Sequence, residues 1–192
     1  HILLPLVGLK FLICAGAALD IVAGLVILQR VGANRFTPVL TGVAVASLIG
    51  VGVFTQFDLH QLVSGVFRYG RVDLVSNAKI RSYEDGKTAS VSLLEFPNGV
   101  MSVLTNGKSD AAIQLNPTGA LSTDELTMTM IAGLALGAHP QANNAAVIGF
   151  GAGMSTHTAL ASRHIKQIDT IEIEPKMTEA ARAFHAAVPR AF

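Results

Sequence analysis

Two long apolar stretches near the N-terminus constrain the fold of this chain more than any other feature. Residues 9–29 read LKFLICAGAALDIVAGLVILQ, and residues 37–57 read TPVLTGVAVASLIGVGVFTQF. Each is close to the roughly 20 apolar residues that a helix needs to cross a bilayer core. Lipid offers the backbone no hydrogen-bond partners, so such segments must be helical. A short loop with Arg30 and Arg35 separates them, and residues 1–57 are therefore a predicted transmembrane helical hairpin.

The composition supports a membrane-associated chain and excludes several other classes. Hydrophobic residues make up 51% of the chain, charged residues only 14%, and the mean hydropathy is +0.49, which is high for a soluble protein. A signal peptide is disfavoured because the first span has no basic start or small-residue cleavage site, and a second span follows. A net charge of +1 with scattered Lys and Arg predicts no nucleic-acid partner. With Cys14 as the single cysteine, we predict no disulfide and no metal site.

The pattern changes after a linker predicted over residues 58–78. From residue 79 to 115 polar and apolar residues alternate, which is typical of strands buried on one face. Three dipeptides that favour tight turns interrupt the alternation: Asp85-Gly86, Asn98-Gly99 and Asn106-Gly107. These features predict a small antiparallel meander of about four strands. A structural role explains Asp110 and the Asn-Gly pair before it at least as well as ligand binding, since the turn itself needs Asn-Gly.

A helix is predicted next, within a partial Rossmann-like region that covers residues 116–192. Ser122 is followed three residues later by Glu125, which is the sequence of a capping box. The apolar side of this helix is predicted to consist of Leu126, Met130, Ile131, Leu134 and Leu136. Gly137 and Pro140 then end the helix.

The segment VIGFGAGMSTHTAL, residues 147–160, has the pattern of a buried strand that turns into a helix. Residues 145–148 form the predicted strand, and Ser155 is predicted to cap the helix. The turn between them contains Gly149, Gly151 and Gly153. Residues 168–174 form a second predicted strand with acids about 20 residues after the turn. Together these features predict the first half of a nucleotide-binding sheet.

The spacing of the glycines and acids in this site predicts a nucleoside as its ligand. Glycines let the backbone approach a ligand, and an acid at the end of the second strand can accept hydrogen bonds from both ribose hydroxyls. We predict Glu172 for this role, with Glu174 as the alternative. A dinucleotide site would need its third glycine at Met154, so the spacing favours an S-adenosylmethionine-type nucleoside. The alternative is an inherited turn that no longer binds.

Four segments in this order carry a resemblance to a known family. They are NGKSDAA, STDELTM, GLALGAHPQANNAAVIGFGAG and IDTIEIEPKMTEAARAF. The chain from residue 79 to 192 resembles the spermidine and spermine synthases, the polyamine aminopropyltransferases, and is most similar to their membrane-fused bacterial branch. The resemblance implies a small β-domain followed by a Rossmann-like domain. It also implies transfer of the aminopropyl group of decarboxylated S-adenosylmethionine, as co-substrate, to an amine such as putrescine, with no tightly bound cofactor.

The resemblance also assigns roles to individual residues. Glu172 matches the acid that holds the nucleoside ribose in the family. The nucleotide turn is matched by Gly149, Gly151 and Gly153. Where the soluble synthases read DEFIYQE this chain reads DELTMTM, so Asp124 and Glu125 match on the substrate side.

Several family positions differ in ways that matter for the reaction. Where the synthases read GGGDGG this chain reads GFGAGM, so Ala152 replaces an aspartate that helps to bind the aminopropyl donor. Met128 replaces the tyrosine and Thr129 the glutamine of the substrate pocket. The catalytic aspartate is expected beyond Phe192. A neutral amine that attacks a carbon next to a sulfonium needs carboxylates for orientation and for proton removal, so these losses weaken the amine half of the site.

Two classes of function follow. One is a membrane-anchored spermidine synthase-like protein that binds an adenosyl nucleoside with weak or divergent transferase activity. The alternative is a non-catalytic accessory or assembly subunit of a membrane complex, built on a degenerate synthase domain. A methyltransferase shares the glycine turn and the strand-end acid, but the preceding hairpin strands fit the synthases better.

Location and association are predicted from the same features. A nucleoside donor is made in the cytoplasm, which places the globular domain on the cytoplasmic side of a bacterial inner membrane. Charge does not decide the orientation, because Arg30 and Arg35 in the loop balance Arg68 and Arg71 on the domain side.

Small residues on the second span, such as Gly42, Ala46 and Gly50, suit close helix contact. We therefore expect contacts with membrane lipid and either a homo-oligomer or a subunit of a membrane complex, with polyamine as substrate if the domain is active.

Overall fold

The computed structural model describes residues 2–32, 35–70 and 77–192. The chain divides into two compact units, His1–Asp58 and Leu59–Phe192. Arg71, one of the arginines compared for membrane orientation, and most of the second half of the predicted linker lie outside the described residues.

The first unit consists of two apolar helices that pack against each other. Helix α1 spans Leu3–Val31 and helix α2 spans Thr37–Phe54, and both are long and apolar enough to cross a membrane. Neither helix contains a buried residue among those described. Helix α2 ends before the predicted residue 57, because Thr55 has extended backbone angles (φ −76°, ψ 121°). Gly8 interrupts the regular angles of α1 with a φ of 75°, which is accessible to glycine.

The second unit begins with two short helices and an antiparallel sheet. Helices α3 (Leu59–Val63) and α4 (Val66–Tyr69) precede the strands. The four strands are β1 (Lys79–Asp85), β2 (Ser90–Glu95), β3 (Val100–Thr105) and β4 (Lys108–Gln114). They pair in sequence order, which confirms the predicted meander. Asn106 and Gly107 both have positive φ in the two-residue β3–β4 turn, as the Asn-Gly sequence requires.

Both faces of this sheet are covered. On one face Val91, Val103 and Ile113 are at most 2% exposed, and they pack in a cluster with residues of the C-terminal region. That region contributes Ala152, Met177, Phe184 and Val188. On the other face Leu94 and Leu104 pack with Val63 and Ala78. The meander and the C-terminal region therefore share one hydrophobic core.

The C-terminal region is the first half of a Rossmann-like fold. Its elements are α5 (Thr123–Ala138), β5 (Asn144–Ile148), α6 (Met154–Ala159), β6 (Gln167–Ile171) and α7 (Pro175–Ala181), followed by 3-10 turns at Arg182–Phe184 and Pro189–Ala191. Strands β5 and β6 pair in parallel, and the N–H of Gly149 continues the ladder by donating to the carbonyl of Ile171 at 2.8 Å. A βαβ unit with a glycine turn between strand and helix confirms the predicted fold class.

Helix α5 begins with the predicted capping box, but its predicted apolar side is not buried. The Ser122 hydroxyl accepts from the Glu125 N–H at 3.2 Å, and the Glu125 carboxylate accepts from the Ser122 N–H at 2.8 Å. Four of the predicted apolar residues are more than 45% exposed: Leu126, Met130, Ile131 and Leu134. Ala132 is instead the apolar residue that this helix buries. Periodicity shows that a helix has an apolar side and does not show what covers it.

Two local predictions around the glycine turn are wrong. Strand β6 ends at Ile171, whereas the predicted strand ran to residue 174. The chain turns there because the Glu174 N–H donates to the carboxylate of Glu172 at 2.9 Å. Ser155 does not cap α6, since Gly153 occupies the cap position. The Ser155 hydroxyl donates to the Met128 carbonyl at 3.1 Å and ties α6 to α5.

Candidate functional site

A cavity of about 390 Å³ opens at the glycine turn, and we call it the glycine-turn pocket. Gly149, Gly151 and Glu172 line it from the Rossmann-like half. Thr88 and Ala89, from the connection between β1 and β2, line it from the meander. The pocket therefore lies between two parts of the second unit that are far apart in sequence.

The three glycines of the turn have different surroundings, although all have positive φ (86°, 52° and 82°). A methyl group at Gly149 would meet no atom within 4 Å, so there is open space beside the backbone of this residue. A methyl group at Gly151 would lie 3.5 Å from Ala111, and one at Gly153 would lie 3.0 Å from Ala191. Gly149 thus offers space to a ligand, whereas Gly153 allows close packing of the chain. Gly153 is not among the described residues that line the pocket.

Glu172 is held at the glycine turn by the backbone. One carboxylate oxygen accepts from the Phe150 N–H at 2.8 Å, and the other accepts from the Glu174 N–H at 2.9 Å. The side chain is half-buried and lines the pocket. Each carboxylate oxygen has two lone pairs, so each keeps capacity for one further donor. A carboxylate fixed in this way can accept hydrogen bonds from a diol.

Glu174 lines the same pocket but is bound to a different element. One oxygen accepts from the Thr88 N–H at 2.7 Å and from the Thr88 hydroxyl at 2.8 Å, and the other accepts from the Lys176 N–H at 3.0 Å. Burial by itself raises the pKa of this carboxyl, but the donors from Thr88, Lys176 and Ala89 more than offset it and hold the pKa below its usual range. The structure thus places Glu172, and not Glu174, in contact with the glycine turn.

Asp124 and Glu125, predicted on the substrate side, lie elsewhere. Neither is among the described residues that line the glycine-turn pocket. Glu125 is 7% exposed, and one of its oxygens accepts from the Gln114 N–H at 2.9 Å in addition to the Ser122 N–H. Asp124 accepts from the Ser109 hydroxyl at 3.3 Å. Glu125 therefore joins the end of β4 to the start of α5.

The positions that differ from the synthase pattern have separate surroundings. Ala152 is fully buried and packs in the core shared by the meander and the C-terminal region. Met128 is half-buried and is one of the residues that line the pocket. Thr129 is exposed. The pocket wall near Met128 consequently has an apolar group where the family pattern has a polar one.

Sequence reasoning did not assign Thr88, Ala89 or Asp110 to the pocket. Asp110 lines the pocket, and its carboxylate forms an ion pair with the ammonium group of Lys108 at 3.0 Å. Thr88 and Ala89 belong to a turn whose local sequence carries no ligand-binding pattern. The Thr88 N–H donates to the carboxylate of Glu174, which is 86 residues away. A contact between residues so far apart leaves no recognisable pattern in the sequence around either residue.

A second cavity of about 450 Å³ lies beside the first, between α5 and β5. Its lining is mainly apolar and includes Ile131, Leu136 and Val147. The carboxylates of Glu172 and Glu174 line the first cavity and are not among the described residues that line the second, so the first is the one of these two cavities that offers them to a ligand. Within residues 2–32, 35–70 and 77–192, no group of three or more His, Cys, Asp or Glu side chains is arranged to hold a metal ion.

Comparison with protein families and with curated proteins gives no match. No family model matches the chain. No curated protein matches it either.

Comparison with solved structures gives similarity to spermidine synthases. One is a spermidine synthase in complex with the transition state analogue AdoDATO, at 15% identity and a TM-score of 0.49, with 57% of this chain and 35% of that chain covered. The spermidine synthase from Thermotoga maritima has the same identity, TM-score and coverage of this chain, with 36% of its own length covered. A probable spermidine synthase from Corynebacterium glutamicum is 17% identical with a TM-score of 0.41, and 55% of this chain and 40% of that chain are covered. The chain therefore spans less than half the length of these structures.

Proposed function

We propose that this chain is a membrane-anchored, spermidine synthase-like protein whose glycine-turn pocket binds an adenosyl nucleoside. The observation that carries the proposal is the placement of Glu172. Its carboxylate is fixed at the glycine turn by the N–H groups of Phe150 and Glu174, and it borders a cavity of about 390 Å³. A ribose diol is a suitable partner, since two hydroxyls can donate to the two oxygens of one carboxylate.

The open side of Gly149 supports the same ligand. Its backbone has no neighbour within 4 Å in the direction of a side chain, so a flat ligand group can approach the peptide closely. Met128 and Ile148 give the pocket apolar surface, which suits a purine base or a thioether. Decarboxylated S-adenosylmethionine and methylthioadenosine combine these chemical groups with a ribose.

Aminopropyl transfer by this chain is proposed to be weak or divergent. In that reaction a neutral amine forms an N–C bond while the C–S bond of the sulfonium breaks, which releases a neutral thioether and leaves a proton to be removed. Ala152 has no carboxylate for the cationic end of the donor, and it is buried in the core. The Met128 side chain offers an amine substrate only the weak acceptor of a thioether sulfur, and no donor.

The same two residues favour a second candidate function. An accessory or assembly subunit of a membrane complex needs the fold and the pocket, but not the polar groups that orient an amine. The full burial of Ala152 in apolar surroundings fits a domain that has exchanged a reactive group for packing.

The membrane location is part of the proposal. Helices α1 and α2 are long and apolar enough to span a bilayer, and a cytoplasmic nucleoside would place the globular unit at the cytoplasmic face of the inner membrane. Protease treatment of inside-out vesicles should cleave the globular unit; its protection there would contradict this orientation. Contact with lipid and assembly into an oligomer or a larger complex are tested by the size of the protein in mild detergent, where a lone chain would count against assembly.

Nucleoside binding is tested by titration of the full chain in mild detergent with methylthioadenosine and with decarboxylated S-adenosylmethionine. We expect binding by the unaltered chain, and Glu172→Ala should weaken it by about 1.5–3 kcal/mol, the scale of hydrogen bonds to a charged group. Glu172→Gln preserves the size of the side chain and removes one acceptor oxygen, so it should weaken binding by less. Glu179→Ala is the matched control, because Glu179 is an exposed acid on α7 outside the pocket.

Two outcomes would contradict the proposal. Absence of binding of either nucleoside to the unaltered chain would remove the nucleoside site and favour the accessory subunit. Rapid formation of spermidine from putrescine would show that Ala152 and Met128 do not limit the reaction.

A further inference from the structure

We propose that Glu174 is a positioning residue of the glycine-turn pocket: its carboxylate holds the β1–β2 turn against the start of α7, so that Thr88 and Ala89 form a fixed wall of the pocket. The effect on ligand affinity rests on the proposed nucleoside binding. The effect on the turn itself does not.

The contacts of Glu174 join two elements that are distant in sequence. The side chain belongs to a residue that is 4% exposed. One oxygen accepts from the N–H and the hydroxyl of Thr88, at 2.7 and 2.8 Å, and from the Ala89 N–H at 3.4 Å. The other accepts from the Lys176 N–H at 3.0 Å and so caps α7. A single carboxylate thus binds the β1–β2 turn and the first turn of a helix.

The shape of the turn fits this carboxylate closely. The turn is closed by its own bond from the Gly86 N–H to the Ala89 carbonyl, at 2.9 Å. A methyl group at Gly86 would overlap the carboxylate group of Glu174. Gly86 does not have positive φ, so its lack of a side chain is explained by this close approach.

The position of the turn affects the pocket because Thr88 and Ala89 line it together with Gly149 and Glu172. A ligand that needs this wall binds only the fraction of molecules in which the turn is seated. Its apparent affinity falls in proportion to that fraction. Loss of several hydrogen bonds to a charged group is enough to release an exposed turn, so we expect about a tenfold loss of affinity or more.

The first experiment separates the two roles of Glu174 by substitution. Glu174→Asp shortens the side chain by one methylene and introduces a preferred helix cap, so it should keep the bond to the Lys176 N–H and lose the reach to Thr88. Hydrogen exchange on the full chain should then be about tenfold faster or more at Thr88 and Ala89, and unchanged at Val103 in the core. Binding of methylthioadenosine should weaken by a similar factor.

The second experiment is a double-mutant cycle with Gly86. Gly86→Ala should speed exchange at Thr88 and Ala89 in the otherwise unaltered chain, because the new methyl group displaces the carboxylate. In a Glu174→Ala background the same methyl group finds space, and its effect on exchange should be small. A large coupling between the two sites is the expected result. Equal effects of Gly86→Ala in both backgrounds would overturn the proposal.

Controls distinguish this inference from the proposed function. Glu179→Gln changes an exposed acid on α7 and should leave exchange at Thr88 as it was. Thr88→Val removes only the hydroxyl bond and serves if Glu174 variants fail to fold; it should speed exchange at Ala89 by a smaller factor. If the unaltered chain binds no nucleoside, the proposed function fails, while exchange still decides the role of Glu174. Unchanged exchange at Thr88 and Ala89 in Glu174→Asp and Thr88→Val would overturn the inference.

Discussion

An aspartate introduced at position 152, where the synthase pattern of the sequence comparison has one, should destabilise the protein and should not create a donor site. Ala152 is fully buried, and the side chains of its cluster are apolar. Ala152→Asp adds three heavy atoms to a packed site, and overpacking alone costs typically about 1–3 kcal/mol. An unpaired carboxylate in such a site adds a desolvation cost, and losses of about 3–5 kcal/mol are usual for an uncompensated buried charge. This is a large part of the stability of an ordinary domain, about 5–15 kcal/mol.

Two matched variants separate the two causes of this destabilisation, which are overpacking and an unpaired buried charge. Ala152→Asn has nearly the same shape as the aspartate, so it shares the overpacking and lacks the charge. Ala183→Asp places the same carboxylate at an exposed position in the C-terminal region and should change stability by less than about 0.5 kcal/mol. We expect the order of stability to be Ala183→Asp, then Ala152→Asn, then Ala152→Asp. Burial favours the neutral acid, so the difference between the two position-152 variants should shrink as the pH falls toward about 4.

The assay is hydrogen exchange of core amides such as Val103, measured on the full chain in mild detergent. A loss of 1.4 kcal/mol in the free energy of opening corresponds to tenfold faster exchange. Titration with decarboxylated S-adenosylmethionine then tests whether the new carboxylate reaches the donor. Equal stability of the aspartate and asparagine variants, or a gain in donor affinity, would show that position 152 faces the ligand and would refute the reasoning.

Three further predictions follow from single side chains. Hydrogen bonds hold the pKa of Glu174 below its ordinary value of 4.5. The stabilisation by this carboxylate should therefore be fully present above that pH and should be lost as the pH falls through the lower pKa of the folded state. A stability difference between the unaltered chain and Glu174→Gln that stays constant down to about pH 3 would contradict this prediction. Glu125→Ala removes the acceptor of two backbone N–H groups and should lower the free energy of opening by about 2–4 kcal/mol, measured by exchange at the start of α5. Asn106→Ala should lower the free energy of unfolding, measured by thermal unfolding, by about 1–2 kcal/mol, because φ is 48° at this residue and its side chain accepts from the Ser90 N–H at 3.0 Å. Asn106→Gly should lower it by less, since glycine accepts positive φ.

The sequence by itself determined the elements whose causes are local. Apolar length specified α1 and α2, the Asn-Gly pair specified the positive φ values of the β3–β4 turn, and Ser122 with Glu125 specified the start of α5. The glycine turn was also visible, because a strand that turns directly into a helix needs residues that accept positive φ. In each case the residues that cause the structure lie within a few positions of one another.

Only the tertiary structure decided where the side chains of the candidate site lie. Strand alternation could not choose between Glu172 and Glu174, because residues two apart lie on the same face of a strand. In the structure both follow β6, which ends at Ile171, and the chain turns on the carboxylate of Glu172. Glu174 finds Thr88 only once the meander and the Rossmann-like half share a core, and the same packing buries Ala152. Such contacts depend on the position of whole elements, which long-range burial determines and local sequence does not encode.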